Sequence, residues 1–206
     1  MSHFAYLLEW HLFPDEPDGT VCRIVEVPGW QDNIRLSNVW PPFRSTEPVE
    51  FDTNYSLLED VPDYPNNTAR WPVMSLRMLD VLLSVREFAY HAVPVILVQD
   101  TAPVEIRYDA QGRPRPEYSK SDYVAVQLAS YCDAFDAERS VCDPYPWDPE
   151  GVGFVDKLVM RVPPEGFPPI FRIEECSTRL FVSADARRAL DAAGIRGPEY
   201  EPHKQS

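Results

Sequence analysis

Glycine is scarce in this chain, 8 of 206 residues, and histidine and cysteine are scarcer still at 4 each. Phosphate-cradling loops need clustered glycines, and no GxGxxG or Walker pattern occurs; a GxSxG elbow and an HExxH pair are missing too. Gly151, Val152 and Gly153 form only a two-glycine fragment, which reads as a turn. Cys22, Cys132, Cys142 and Cys176 lack the close pairing of a zinc site, and a chain of this size needs no disulfide framework, so four free thiols are expected. His3 lies near one end and His203 in a polar tail expected to fray, while His11 and His91 each follow an aromatic residue and read as packed or partly exposed side chains. Long apolar runs are absent, and no apolar stretch follows a basic one near Met1; a cytoplasmic location is the expectation.

Basic residues are also few, 19 against 33 acidic ones, for a formal charge of −14. Such a field repels nucleic acid and anionic membrane and speeds encounter with a basic protein, although it serves solubility equally well. The excess is uneven, since residues 1–70 hold 12 of the acids and 4 of the bases.

Hydrophobic residues are plentiful at 44%, enough for a chain of this length to bury about 70% of its unfolded surface. The 22 prolines imply many turns, edge strands and extended connections, because proline brings no N–H to a helix interior or a central strand.

Phe4–Trp10 and Thr20–Val27 read as two strands joined by a loop of turn formers from Pro14 to Gly19. From Pro28 to Arg70 the pattern predicts irregular backbone pinned by aromatic anchors such as Trp30, Trp40, Phe43, Phe51, Tyr55 and Tyr64. Leu76, Leu79, Leu82, Leu83 and Phe88 recur at helical spacing behind Ser75, a cap candidate. Val93–Val98 predicts a strand buried on two faces, and Val104–Tyr108, the run from Tyr123 to Leu128 and the run from Leu158 to Val162 predict further strands. Leu180–Val182 leads through Ser183 into a helix closed by Gly194. The sum is an α+β fold, mostly antiparallel, with two or more helices and long proline-rich loops. It is arranged either as two units, 1–70 and 71–206, or as one continuous domain.

Between Asp133 and Glu150 the chain gathers Asp133, Asp136, Glu138, Asp143, Asp148 and Glu150 around Tyr145 and Trp147, with Pro144, Pro146 and Pro149 interposed. Calcium-loop spacing is missing. Stiff backbone, an anionic rim and aromatic anchors suit a protein-binding surface, because little entropy is lost on docking. An acidic surface loop whose aromatics tuck into the core has the same composition.

Three blocks resemble a family of bacterial immunity proteins encoded beside polymorphic toxins, including the type first described beside a myxobacterial toxin. They are Trp71–Arg77 running through Leu82 and Leu83 to Pro94 and Val95; Val126–Ser140 with its aspartates; and Ile170–Ile173 followed by Leu180–Ser183, the closing helix and Gly194–Gly197. Together they span roughly residues 71–200. The resemblance implies a protein that neutralises a cognate toxin by stoichiometric binding, its partner encoded by an adjacent gene, while the histidine and cysteine spacing and the missing motifs predict no catalytic residues, cofactor or metal. Many such toxins are nucleases with basic clefts, where carboxylates can stand in for phosphates. The alternative is an enzyme or small-ligand-binding protein whose site is assembled from residues distant in sequence.

Overall fold

Two serines each end a strand and start a helix. The hydroxyl of Ser75 accepts a hydrogen bond from Met78 N at 3.1 Å, and that of Ser183 accepts from Ala186 N at 3.2 Å, satisfying a backbone donor that the first helical turn leaves unpaired. In the computed structural model these are the junctions β4 (Val73–Ser75) to α1 (Leu76–Val85) and β10 (Phe181–Ser183) to α3 (Ala184–Ala192). The structure describes residues 5–10, 22–25, 36, 39, 41–45, 47–55, 57–146 and 148–203, with the backbone alone at 148–150.

The fold is α+β, with three sheets that are mostly antiparallel and three α-helices among the described residues. One sheet has the order β11 (Pro198–Pro202), β1 (Ala5–Trp10), β10, β9 (Ile170–Phe171). A second runs β2 (Cys22–Ile24), β3 (Val49–Thr53), β5 (Tyr90–Gln99), β6 (Ser119–Leu128), β4. The third is a hairpin, β7 (Val141–Tyr145) with β8 (Asp148–Lys157). Helix α2 (Val104–Arg107) is a single turn.

Pleat alternation distributes the core. Val124, Val126 and Leu128 of β6 face the helices α1 and α3 together with Ile170 and Val182 of the first sheet, while Tyr123 and Ala125 face the opposite way with Phe51, Val93 and Val95. On the far side of the first sheet Ala5, Phe171 and Phe181 pack with Val155, Leu158 and Met160. The two helices are thus sandwiched between sheets, and the hairpin covers the outermost apolar layer.

The Ser75 cap is also cross-braced. Its hydroxyl donates to Asp63 Oδ1 at 2.7 Å, and Asp63 Oδ2 accepts from Arg77 Nη2 at 3.1 Å and Arg196 N at 3.0 Å. Replacing Ser75 by alanine is therefore expected to cost about 2 kcal/mol, against about 1 for Ser183→Ala, because it removes a cap and also a hydrogen-bond donor from a carboxylate. Urea unfolding of the two variants measures both; equal losses would show that the link to Asp63 contributes nothing.

Several expectations need correction. The strands expected at Phe4–Trp10 and Thr20–Val27 both form, but in different sheets rather than against each other; the turn at 14–19, with Trp30 and Trp40, lies outside the described residues. The segment read as irregular contains β3, which pairs in parallel with β5 from Val49 opposite Val95 to Thr53 opposite Gln99. Val93–Val98 is a strand, but Pro94 is exposed, and the ladder with β3 starts only one residue later. Val104–Tyr108 is not a strand: Pro103 begins a helical turn that leaves Val104 and Ile106 in solvent. Leu158–Val162 is not a strand either, since only Met160 bridges, to Phe135. α1 stops at Val85, short of Phe88. The expected frayed tail is strand β11 on β1, and beyond it His203 is half-buried edge-on to Phe181, where burial pulls its pKa down. Among the described residues no helix is long and apolar enough to cross a membrane.

Candidate functional site

The β7–β8 hairpin is built where prolines argue against a strand pair. Its register slips at three points, between Val141 and Cys142, between Asp143 and Pro144, and between Pro144 and Tyr145. Proline is tolerated at such irregularities because the regular ladder is already broken there. Gly153 makes the close approach possible: a Cβ there would lie 2.9 Å from Tyr145 N and 3.0 Å from the Pro144 carbonyl carbon. The two-glycine fragment expected to be a turn is instead the middle of β8.

The hairpin has two faces, and the register shift at Gly153 turns Val152 and Phe154 to opposite ones. Val155 is buried and Cys142 and Val152 pack inward on the apolar layer, whereas Val141, Tyr145 and Phe154 are 53%, 40% and 62% exposed. Asp143 stands opposite Phe154, and Asp156 follows on the same strand; both are exposed. Burial, reinforced by Glu175, Asp156 and Asp143, pushes the Cys142 thiol up, which marks the local field as negative.

The expected site residues separate into two groups. Asp136 is turned to structural use at the base of the hairpin: its carboxylate accepts from Arg139 N at 3.1 Å, its N–H donates to Val159 O at 3.0 Å, and its carbonyl accepts from Ser140 N at 2.9 Å. Asp133 pairs with Arg161. Glu138, Asp143 and Tyr145 reach solvent. Trp147 lies outside the described residues, and Asp148 and Glu150 are placed by backbone only, on β8. The missed members are Val141, Phe154 and Asp156.

Groups that could do chemistry are muted elsewhere. All four cysteines are free thiols, and burial pushes Cys22 up to about 12 and Cys132 to about 11, holding both protonated. Among the described residues no three His, Cys, Asp or Glu side chains converge to hold a metal ion. No protein-family model matches the chain, and no curated protein is similar to it in sequence.

Proposed function

We propose that this chain is an immunity protein that binds and neutralises a cognate polymorphic toxin, one molecule per toxin, by pressing the outward face of the β7–β8 hairpin onto a basic surface such as a nuclease cleft. The observation that carries this reading is the coincidence, on the outward face of one hairpin, of three exposed large apolar side chains with exposed carboxylates. Large anchors ringed by polar groups are the pattern of binding hot spots. The charge of −14 favours a basic partner, and the resemblance over residues 71–200 names the kind. In this role the chain is not an enzyme, takes no cofactor, binds neither nucleic acid nor membrane, and works in the cytoplasm where its toxin would act.

Co-expression with the product of the neighbouring gene tests this. Protection of the host and a co-purifying complex are expected. The association rate should fall steeply between low and physiological salt, while the dissociation rate changes little. A neighbouring product that is not toxic, or that the chain neither binds nor neutralises, overturns it. The second reading, a small-ligand-binding protein or enzyme, is favoured by one place in the fold, a basic cavity under Trp10.

A further inference from the structure

Three segments meet around a cavity of about 680 Å³: the end of β1, the loop through residues 64–72, and the connection from Arg172 to Leu180. That size suits a small organic ligand. One wall is rigid, since Trp10 stacks on the buried ring of Tyr64 at 5.8 Å and 13°. The Asn67 side chain fixes the loop by accepting from Trp71 N at 3.0 Å and donating to Trp71 O at 2.8 Å. Arg70, next along, is held in the left-handed region at φ 54°.

Arg172 is the anomaly. Its residue is 4% exposed and its Nη1 donates to Ser177 O at 2.7 Å; among the described residues its Nε has no hydrogen-bond partner and no carboxylate pairs with it. The indole N–H of Trp10, on the same cavity, is also buried, with no hydrogen-bond partner among the described residues. A buried guanidinium without a counter-charge is costly, and an anion in the cavity would offset that cost. Arg70 and Arg179 add two exposed guanidiniums to the lining, and Glu9 is the single carboxylate among its described residues. Burial and Glu201 push the Glu9 carboxyl up, while Arg179 opposes them. Among the described lining residues, three guanidiniums against one carboxylate leave an excess of two positive charges in a strongly acidic protein.

We propose that this cavity binds a small phosphomonoester, its dianion held by Arg172 with Arg179 and Arg70, and its organic part lying along Trp10. A phosphomonoester carries a charge of about −1.5 to −2 at neutral pH and so matches the excess, where a carboxylate supplies half of it. The forked donors of arginine suit its oxygens. The site shares no residue with the hairpin face, and its test needs no toxin, so the two proposals fail separately.

The test is calorimetric titration of the full chain with phenyl phosphate, and with benzoate as the singly charged counterpart. Phenyl phosphate is expected to bind one per chain with a Kd at or below about 1 mM, and benzoate roughly tenfold more weakly. Arg179→Ala and Arg70→Ala, both at exposed positions that leave the fold intact, should each weaken it roughly tenfold. Glu9→Gln should tighten it, a change that a purely structural role for these residues would not produce. Arg172→Met should abolish binding while the circular dichroism is retained; if that variant does not fold, the rim variants decide. No saturable binding up to about 10 mM, binding indifferent to Arg179→Ala and Arg70→Ala, or equal affinity for benzoate overturns the proposal.

Discussion

Trp71→Ala is expected to destabilise the fold by about 3–5 kcal/mol, the loss typical of deleting a buried large aromatic. Trp71 is 1% exposed and meets Phe43 at 5.5 Å and Phe51 at 6.1 Å between ring centroids. Removing the indole therefore opens a void under the second sheet rather than a surface notch. The neighbours have little room to collapse into it. On one side Phe51 belongs to β3, held in the β3–β5 ladder; on the other Phe43 N is tied to Gln127 Oε1 at 2.7 Å, and Gln127 Nε2 donates to Pro41 O at 3.1 Å. The same residue carries the two backbone bonds to Asn67, so a shift of the chain at 71 also loosens the loop that bears Arg70. A single domain commonly has about 5–15 kcal/mol of total stability, so this one change should lower Tm by about 10 °C. Thermal and urea unfolding of the variant measure it. A loss below about 1 kcal/mol would mean that Trp71 is not the keystone of this layer.

How much of this was legible in the sequence depended on whether local signals agreed with long-range pairing. The two serine-capped helices could be read because cap, apolar spacing and, at Gly194, a residue at φ 64° all point the same way. β6 was legible from its β-branched run. β3 carries a period-two signal too, with Val49, Phe51 and Thr53 buried and Glu50 and Asp52 only half-buried, but it is five residues long among prolines, and its parallel partner β5 lies more than forty residues away. Residues 104–108 mislead in the other direction. Their alternation imitates a strand, yet the exposed Val104 and Ile106 have no core to face, and Arg107 turns inward to Asp52 at 3.1 Å.

The candidate site was legible by region and not by residue. Acidic and aromatic composition drew attention to 133–150, but counting carboxylates could not separate Asp136, which accepts a backbone N–H of its own turn, from Asp143, which faces solvent. Prolines 144, 146 and 149 suggested a stiff loop, because the bulges that accommodate them in a hairpin depend on the opposite strand. Phe154 lay past the end of the acidic run, and only its position opposite Asp143 brings it in. The cavity under Trp10 left no local trace, since Trp10, Arg70 and Arg172 come from three distant stretches.

Phe154→Ala is expected to weaken toxin binding by about 2 kcal/mol or more, roughly thirtyfold in affinity, and Tyr145→Ala to act in the same direction. Both side chains stand on the solvent side of the hairpin, so stability should change by no more than about 0.5 kcal/mol, and lost protection could not be blamed on unfolding. Val155→Ala supplies the contrast: Val155 is buried in the layer beneath, and its truncation should lower stability while leaving the outward face in place. Charge should separate from packing in the kinetics. Asp143→Lys reverses a carboxylate beside Phe154 and should act mainly by slowing association at low salt, whereas Phe154→Ala should act mainly by speeding dissociation. Residues 1–70 hold their own excess of acid, so Asp15→Lys is the matched control for charge alone. Survival of cells co-expressing the toxin, with affinity and rates measured on the purified pair, reads all five variants together. If Asp15→Lys loses protection while Phe154→Ala and Asp143→Lys keep it, the toxin does not meet the hairpin, and the acidic N-terminal region takes its place as the docking surface.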